Sequence, residues 1–177
     1  RSINNLPKNV STMIIDFDEF LDHGHLPDCE HIYICLGTTI KKAGSQASFK
    51  KVDLDYCFSF AKKARESGAT RISLVTSVGA NADSKNFYLK TKGQLENEIK
   101  AIGFESVNIF QPGLLLGNRD EIRPLEFLGQ YGSFLLNLFL FGSLKKYRSI
   151  EASKVANAMA NSSKKSGINY FSYEDFI

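Results

Sequence analysis

Arg71-Ile-Ser-Leu-Val-Thr-Ser-Val-Gly79 carries the clearest strand signal in the chain. Its middle is a short aliphatic run that ends at Thr76-Ser77 in a turn closed by Gly79. A run this short, flanked by turn residues and rich in Ile, Val and Leu, is what a strand covered on both faces of a parallel sheet requires. Similar runs lie on either side of it. His31 to Gly37 (HIYICLG) precedes it and Ser106 to Pro112 (SVNIFQP) follows it; Ser11 to Asp16 (STMIID) makes an earlier strand, and Asn169 to Tyr173 a fifth.

The segments between the runs have helical spacing. Asp53 to Ser67 carries Tyr56, Phe60 and Ala64 four residues apart and stops at Gly68. Phe87 to Ile102 carries Leu95, Ile99 and Ile102 and stops at Gly103, and Ile150 to Lys165 carries Val155, Ala156 and Met159 and stops near Gly167. Apolar residues at this period make one buried helix face, and a glycine after the last of them is a natural C-terminal stop. Strands alternating with such helices predict successive βαβ units, hence an α/β fold with a doubly wound parallel sheet in a single domain over residues 1–177.

Composition excludes several classes. Hydrophobic residues make up 43% of the 177, charged residues 23%, and the net charge is +3, as in an ordinary globular chain. The cations are scattered in pairs such as Lys41-Lys42 and Lys62-Lys63, which suits solvated faces and not a nucleic-acid footprint. Cys29, Cys35 and Cys57 form no CxxC pair and leave one over in any pairing, which predicts a reducing compartment. With no signal peptide visible, the expected location is cytoplasmic. Cys35, inside an apolar run, is expected to be buried. The apolar segment Ser133 to Phe141 is too short to span a bilayer; it suits a core helix or a lid, or alternatively a homodimer face or the seat of a protein partner. His23, His25 and His31 have no metal-ligand spacing and are expected in solvent-facing loops.

In a sheet of this kind ligands bind beyond the carboxyl ends of the strands. Those ends read Asp16-Phe17, Leu36-Gly37-Thr38-Thr39, Thr76-Ser77-Val78-Gly79 and Gln111-Pro112-Gly113, polar or turn-forming in every case. Downstream of the third, Tyr88 and Lys92 stand four apart on a predicted helix, so their side chains leave one face. An ammonium beside a phenol favours the phenolate, and such a tyrosine can pass a proton to or from a carbonyl oxygen. Ser77 could hydrogen-bond the same oxygen. Tyr-x-x-x-Lys recurs by chance in a chain with 7 tyrosines; what gives it weight is the strand ending in Thr-Ser before it.

Tyr88-Leu-Lys-Thr-Lys92 with Ser77 upstream resembles the active-site signature of the short-chain dehydrogenase/reductase superfamily. Cys35-Leu-Gly-Thr-Thr39, Lys50-Lys-Val-Asp-Leu-Asp-Tyr56, Ser77-Val-Gly-Ala80 and Gln111-Pro-Gly-Leu-Leu-Leu116 extend the likeness, and they resemble its atypical branch, with its nucleoside-diphosphate-sugar epimerase-like relatives. The resemblance implies a Rossmann-type domain. It implies Ser77, Tyr88 and Lys92 as the catalytic triad, with Lys92 also on the nicotinamide ribose. Asp16 and Phe17 would meet the adenine end; Leu36, Gly37 and Thr38 the adenosine ribose and pyrophosphate; Pro112, Gly113 and Leu114 the nicotinamide wall. Arg1 would match a basic residue that pairs with a 2′-phosphate and so favours NADP over NAD.

The chain departs from the pattern in three respects. The opening strand, glycine-rich turn and first helix are not in it, about 35 residues of one βαβ step, so a longer native protein is expected and the sheet should expose an interior edge. Gln111 stands where many relatives carry Arg. The family's tetrad asparagine has no identified counterpart. Three functions stay open at this point: an NAD(P)-dependent oxidoreductase acting on a small carbonyl or alcohol, a non-catalytic NADP(H)-binding regulatory module, and a sugar-nucleotide epimerase or dehydratase.

Overall fold

Val107 and Ile109 face one side of the strand Ser106–Phe110, while Asn108 and Phe110 face the other, and all four are buried. A strand hidden on both faces belongs inside a covered sheet. The computed structural model describes residues 7–117, 140–163 and 165–177. It sets this strand, β3, in a parallel sheet with β1 (His31–Ile34), β2 (Arg71–Val75) and β6 (Gly167–Phe171), in the order β1-β2-β3-β6. The register pairs Leu74 with Ile109, and Ile109 with Tyr170, so the strands end level and their exits open on one side.

One face of the sheet is covered by α4 (Cys57–Glu66) and α5 (Phe87–Ala101). Ala61 and Ala64 of α4 and Leu95 and Ile99 of α5 form one core with Ile34, Ile72, Leu74, Val107 and Ile109. The alanines let α4 lie close to the sheet. On the other face, α6 (Ala152–Asn161) brings Val155 and Met159 against Phe110, Phe171 and Phe176, and the Phe110 and Phe171 rings stack at 4.5 Å between centroids. α4 and α5 are followed by glycines at positive φ, Gly68 (94°) and Gly103 (89°), which release the chain into β2 and β3.

Before α4 the chain winds through two short helices, α2 (Ile40–Ala43) and α3 (Gln46–Lys50), and a π-helical stretch, Lys51–Tyr56. The wider turn leaves Asp53 with 1% exposure, facing inward. A two-stranded parallel ladder, β4 (Leu115–Leu116) with β5 (Ile150–Glu151), adds a feature that no sequence pattern announced.

Four sequence expectations are corrected. Ser11 to Asp16 is not a strand; among the described residues no strand lies beside it to take its backbone groups, and Met13 and Ile14 remain exposed. It leads instead into α1 (Phe17–His23), whose Phe17 packs edge-on to Tyr56 and Phe60. Cys35 is exposed, because it follows β1 directly and Ile34 takes the core position; the fully buried thiol is Cys57. His31 opens β1 and its Nε2 lies 3.0 Å from Ser73 Oγ, so it is not a loop histidine. The fifth strand is also two residues earlier than read, at Gly167–Phe171.

Candidate functional site

Asn86 fixes where α5 begins: its side-chain oxygen accepts from the Leu89 N–H at 3.1 Å. With the cap there, Tyr88, Lys92 and Glu96 fall at four-residue intervals along one face of the helix. The fully buried Phe49 of α3 packs on the Tyr88 ring at 5.8 Å and sets its tilt. Just past Lys92, Gly93 lets the loop cross the helix at close range. A Cβ there would lie 2.2 Å from Ala82 N and from the Asn81 carbonyl carbon. Gly93→Ala is therefore expected to cost about 1–3 kcal/mol as the loop is pushed off. A lower urea midpoint at unchanged slope is the expected result, and an unchanged midpoint would mean that the loop is free to lift.

Leu36, Gly37 and Thr38 after β1, Thr76 after β2, Asp53 of the π-helical stretch, and Tyr88 and Lys92 of α5 line one cleft of about 600 Å³ with Leu115 on its wall. Within it, Lys92 Nζ lies 2.7 Å from Asp53 Oδ1, both side chains nearly inaccessible. The second oxygen, Oδ2, accepts the Thr38 N–H at 2.7 Å. Asp53 thus ties the exit of β1 to the helix that carries Tyr88. Gly37 must approach this carboxylate closely: a Cβ on it would be 3.2 Å from Asp53 Oδ1. Cys57 is also buried here, and burial pushes its thiol up to about 12, with Lys92 pulling down and Asp53 pushing up. It stays a neutral thiol and no nucleophile.

The other expected site residues are distributed as follows. Ser77 is half-buried and its hydroxyl donates to the Val78 carbonyl at 3.4 Å; the cleft is lined by its neighbour Thr76 and not by Ser77 itself. Asp16 caps α1 by accepting the Glu19 N–H, and Phe17 is engaged in the aromatic contacts of that helix. The Pro112 carbonyl accepts the Val78 N–H at 3.0 Å, which joins the exits of β2 and β3. Gly113 passes so close to Arg148 that a Cβ would meet its carbonyl oxygen at 2.4 Å, and Leu114 is exposed beside it. Arg1 and most of Ser133 to Phe141 lie outside the described residues.

Two groups escaped the sequence reading. Asp53 stood in the quoted Val-Asp-Leu-Asp motif without an assigned role; its signal was a charged residue inside an otherwise apolar helical face. Glu96 continued the Tyr88, Lys92 interval. It is 4% exposed, and its Oε1 accepts from Thr76 Oγ1 at 2.6 Å and from Gln111 Nε2 at 2.9 Å. Burial pushes the Glu96 carboxyl above its ordinary value, while those two bonds and the nearby Lys100 and Lys92 pull it down. A raised carboxyl holds its proton more tightly folded than unfolded. Its contribution to stability is therefore full below the ordinary glutamate value and is lost as pH rises through the folded one. Among the described residues no group of three or more His, Cys, Asp and Glu could hold a metal ion.

No protein-family model matches the chain. It is 43% identical over 122 residues to the mitochondrial protein FMP52 of Candida albicans, an alignment covering 68% of this chain and 53% of that protein. It is 34% identical over 123 residues to HTATIP2 of Rattus norvegicus, covering 69% and 50%. The chain thus spans about half the length of these curated relatives. Among solved structures, MoeE5 in complex with UDP-glucose and NAD superposes with a TM-score of 0.64 at 12% identity, covering 93% of this chain and 66% of that one, a likeness of fold. The cytoplasmic location expected from the unpaired cysteines and the lack of a visible signal peptide is overturned by these relatives, whose FMP52 members are named mitochondrial. A reducing compartment and a missing disulfide framework do not single out the cytosol. Sequence likeness to FMP52 and HTATIP2, together with the Rossmann-type parallel sheet, supports the resemblance to the atypical branch of the short-chain dehydrogenase/reductase superfamily.

Proposed function

We propose that the chain is part of an NAD(P)-dependent oxidoreductase whose acid/base is Tyr88 and whose substrate is a small carbonyl or alcohol. The observation that carries this reading is the cleft at the strand exits, where a phenol and a buried ammonium from one helix face the Leu36-Gly37-Thr38 exit. The residues present fit the nicotinamide-ribose half of a dinucleotide. Gly37 lets the β1 exit close on Asp53, and Tyr88 and Lys92 on the cleft offer donors to ribose hydroxyls. When bound, the reduced nicotinamide supplies the hydride.

The chain's own residues supply the proton and the geometry. The Tyr88 hydroxyl gives its proton to the carbonyl oxygen as the carbonyl carbon is reduced, leaving an alcohol and a tyrosinate that solvent reprotonates. Lys92 stabilises that tyrosinate through its charge, Asp53 holds the ammonium in place, and Ser77 turns its hydroxyl from the Val78 carbonyl to the substrate oxygen. Because its FMP52 relatives are named mitochondrial, we assign the same compartment to this chain.

One observation favours a second reading. The Lys92 ammonium is already matched by the Asp53 carboxylate, and Ser77 is not on the cleft wall. Both suit a module that binds NADP(H) without turnover. Fluorescence titration of the full-length protein with NADPH and NADH, followed by a panel of aldehydes and ketones, separates the readings. Saturable binding with consumption of the reduced nicotinamide is expected. Binding without consumption would make the chain a module, and failure of both dinucleotides to bind would sink both readings.

A further inference from the structure

Thr76 and Gln111 are the first residues beyond the paired ends of β2 and β3, one step before Ser77 and Pro112. The ladder between the strands ends at Val75 and Phe110, and beyond it the two exits are joined by the Thr76 N–H to Phe110 carbonyl and Val78 N–H to Pro112 carbonyl bonds. Beneath them a single oxygen, Glu96 Oε1, accepts from both side chains. It does so from α5, two helical turns beyond Tyr88. A carboxylate with 4% exposure is costly to keep inside a fold, and its two hydrogen bonds offset part of that cost.

We propose, resting on the oxidoreductase reading above, that Glu96 is a positioning residue that staples the β2 and β3 exits to α5 and so fixes where Ser77 and Pro112-Gly113 stand relative to Tyr88 and Lys92. Three elements meet at this one side chain: the exit that carries Ser77, the exit that carries Pro112-Gly113, and the helix that carries Tyr88. Lys92 and Lys100, one turn before and one turn after it on α5, attract the carboxylate, and Asp53 on the π-helical stretch balances Lys92. Gln111 donates a neutral amide to this oxygen, so the staple is a pair of hydrogen bonds and not an ion pair. Its loss lets the exits drift, and small misplacement of reacting groups is expensive in rate.

The test compares Glu96→Ala with Glu96→Gln in the full-length protein. The amide oxygen of Gln can accept both bonds, so the conservative variant rescues the staple. Glu96→Ala is expected to slow single-turnover reduction by about ten- to a hundredfold, with the NADPH Kd changed by less than about twofold; Glu96→Gln keeps the rate within about threefold. An activity-free readout is the amide chemical shifts of Val78, Gly79 and Gly113 in NMR spectra. They are expected to move together in Glu96→Ala and to stay in Glu96→Gln. Unchanged shifts and rate in Glu96→Ala would overturn the inference, as would a Glu96→Gln variant as damaged as Glu96→Ala, or a variant that only melts earlier at unchanged rate. If the wild-type protein reduces no carbonyl, the oxidoreductase reading fails, and the amide shifts alone then decide the staple.

Discussion

Tyr88→Phe is expected to lower the rate of carbonyl reduction by about a hundred- to ten-thousandfold, the usual worth of a positioned general acid. The substitution removes one oxygen and keeps the ring, whose packing on Phe49 at 5.8 Å holds the start of α5 against α3. The fold should therefore survive, and dinucleotide affinity should be nearly unchanged, because Lys92, Thr38 and Gly37 remain on the cleft. The measurement is single-turnover loss of nicotinamide absorbance beside a fluorescence titration of NADPH on the same samples. A variant that reduces its substrate as fast as the wild type would remove Tyr88 from the chemistry, and another proton donor would have to be sought on the cleft.

The second large effect concerns stability. Asp53→Ala removes the counter-charge of a buried ammonium and the acceptor of the Thr38 N–H in one step. Breaking a buried pair by deleting one partner costs about 3–5 kcal/mol, since the surviving charge is left uncompensated away from water. Removing both charges is different. Asp53→Leu with Lys92→Met replaces the pair by apolar groups of similar bulk and is expected to recover most of the loss. Urea denaturation of the single and double variants, read at constant slope, measures the coupling. A single variant that loses less than about 1 kcal/mol would mean that water reaches the pair and that it behaves as a surface ion pair. The same cycle bears on function: the double variant should fold and yet lose the ammonium that supports Tyr88.

The positions of the elements were legible because the forces that set them are local. The glycines at 68 and 103 mark helix ends where φ is positive, and Asn86 caps α5 through its own side chain three residues from the N–H it accepts. The aliphatic middles of Arg71–Val75 and Ser106–Phe110 are strands as expected, since both faces of each are covered. Ser11 to Asp16 was likewise β-prone and is not a strand. A β-prone run pairs only where another strand offers its backbone, and that is decided elsewhere in the chain. Cys35 misled for a related reason: its exposure depends on which residue of HIYICLG turns inward, and Ile34 does.

The site divides along the same line. Tyr88 and Lys92 could be found because one helical turn brings them together whatever the rest of the molecule does. Nothing local linked Lys92 to Asp53, or Glu96 to Thr76 and Gln111 across separations of 20 and 15 residues. The alternation of strands and helices from β1 to β3, the glycine stops of α4 and α5 and the Tyr88-Lys92 face could be read from the sequence, because they are properties of periodicity and backbone conformation within a few residues. The tertiary structure alone decided which carboxylate meets which donor. That choice follows from the sheet register and from the inward turn of Asp53, and it takes the whole fold to bury a charge beside the group that compensates it.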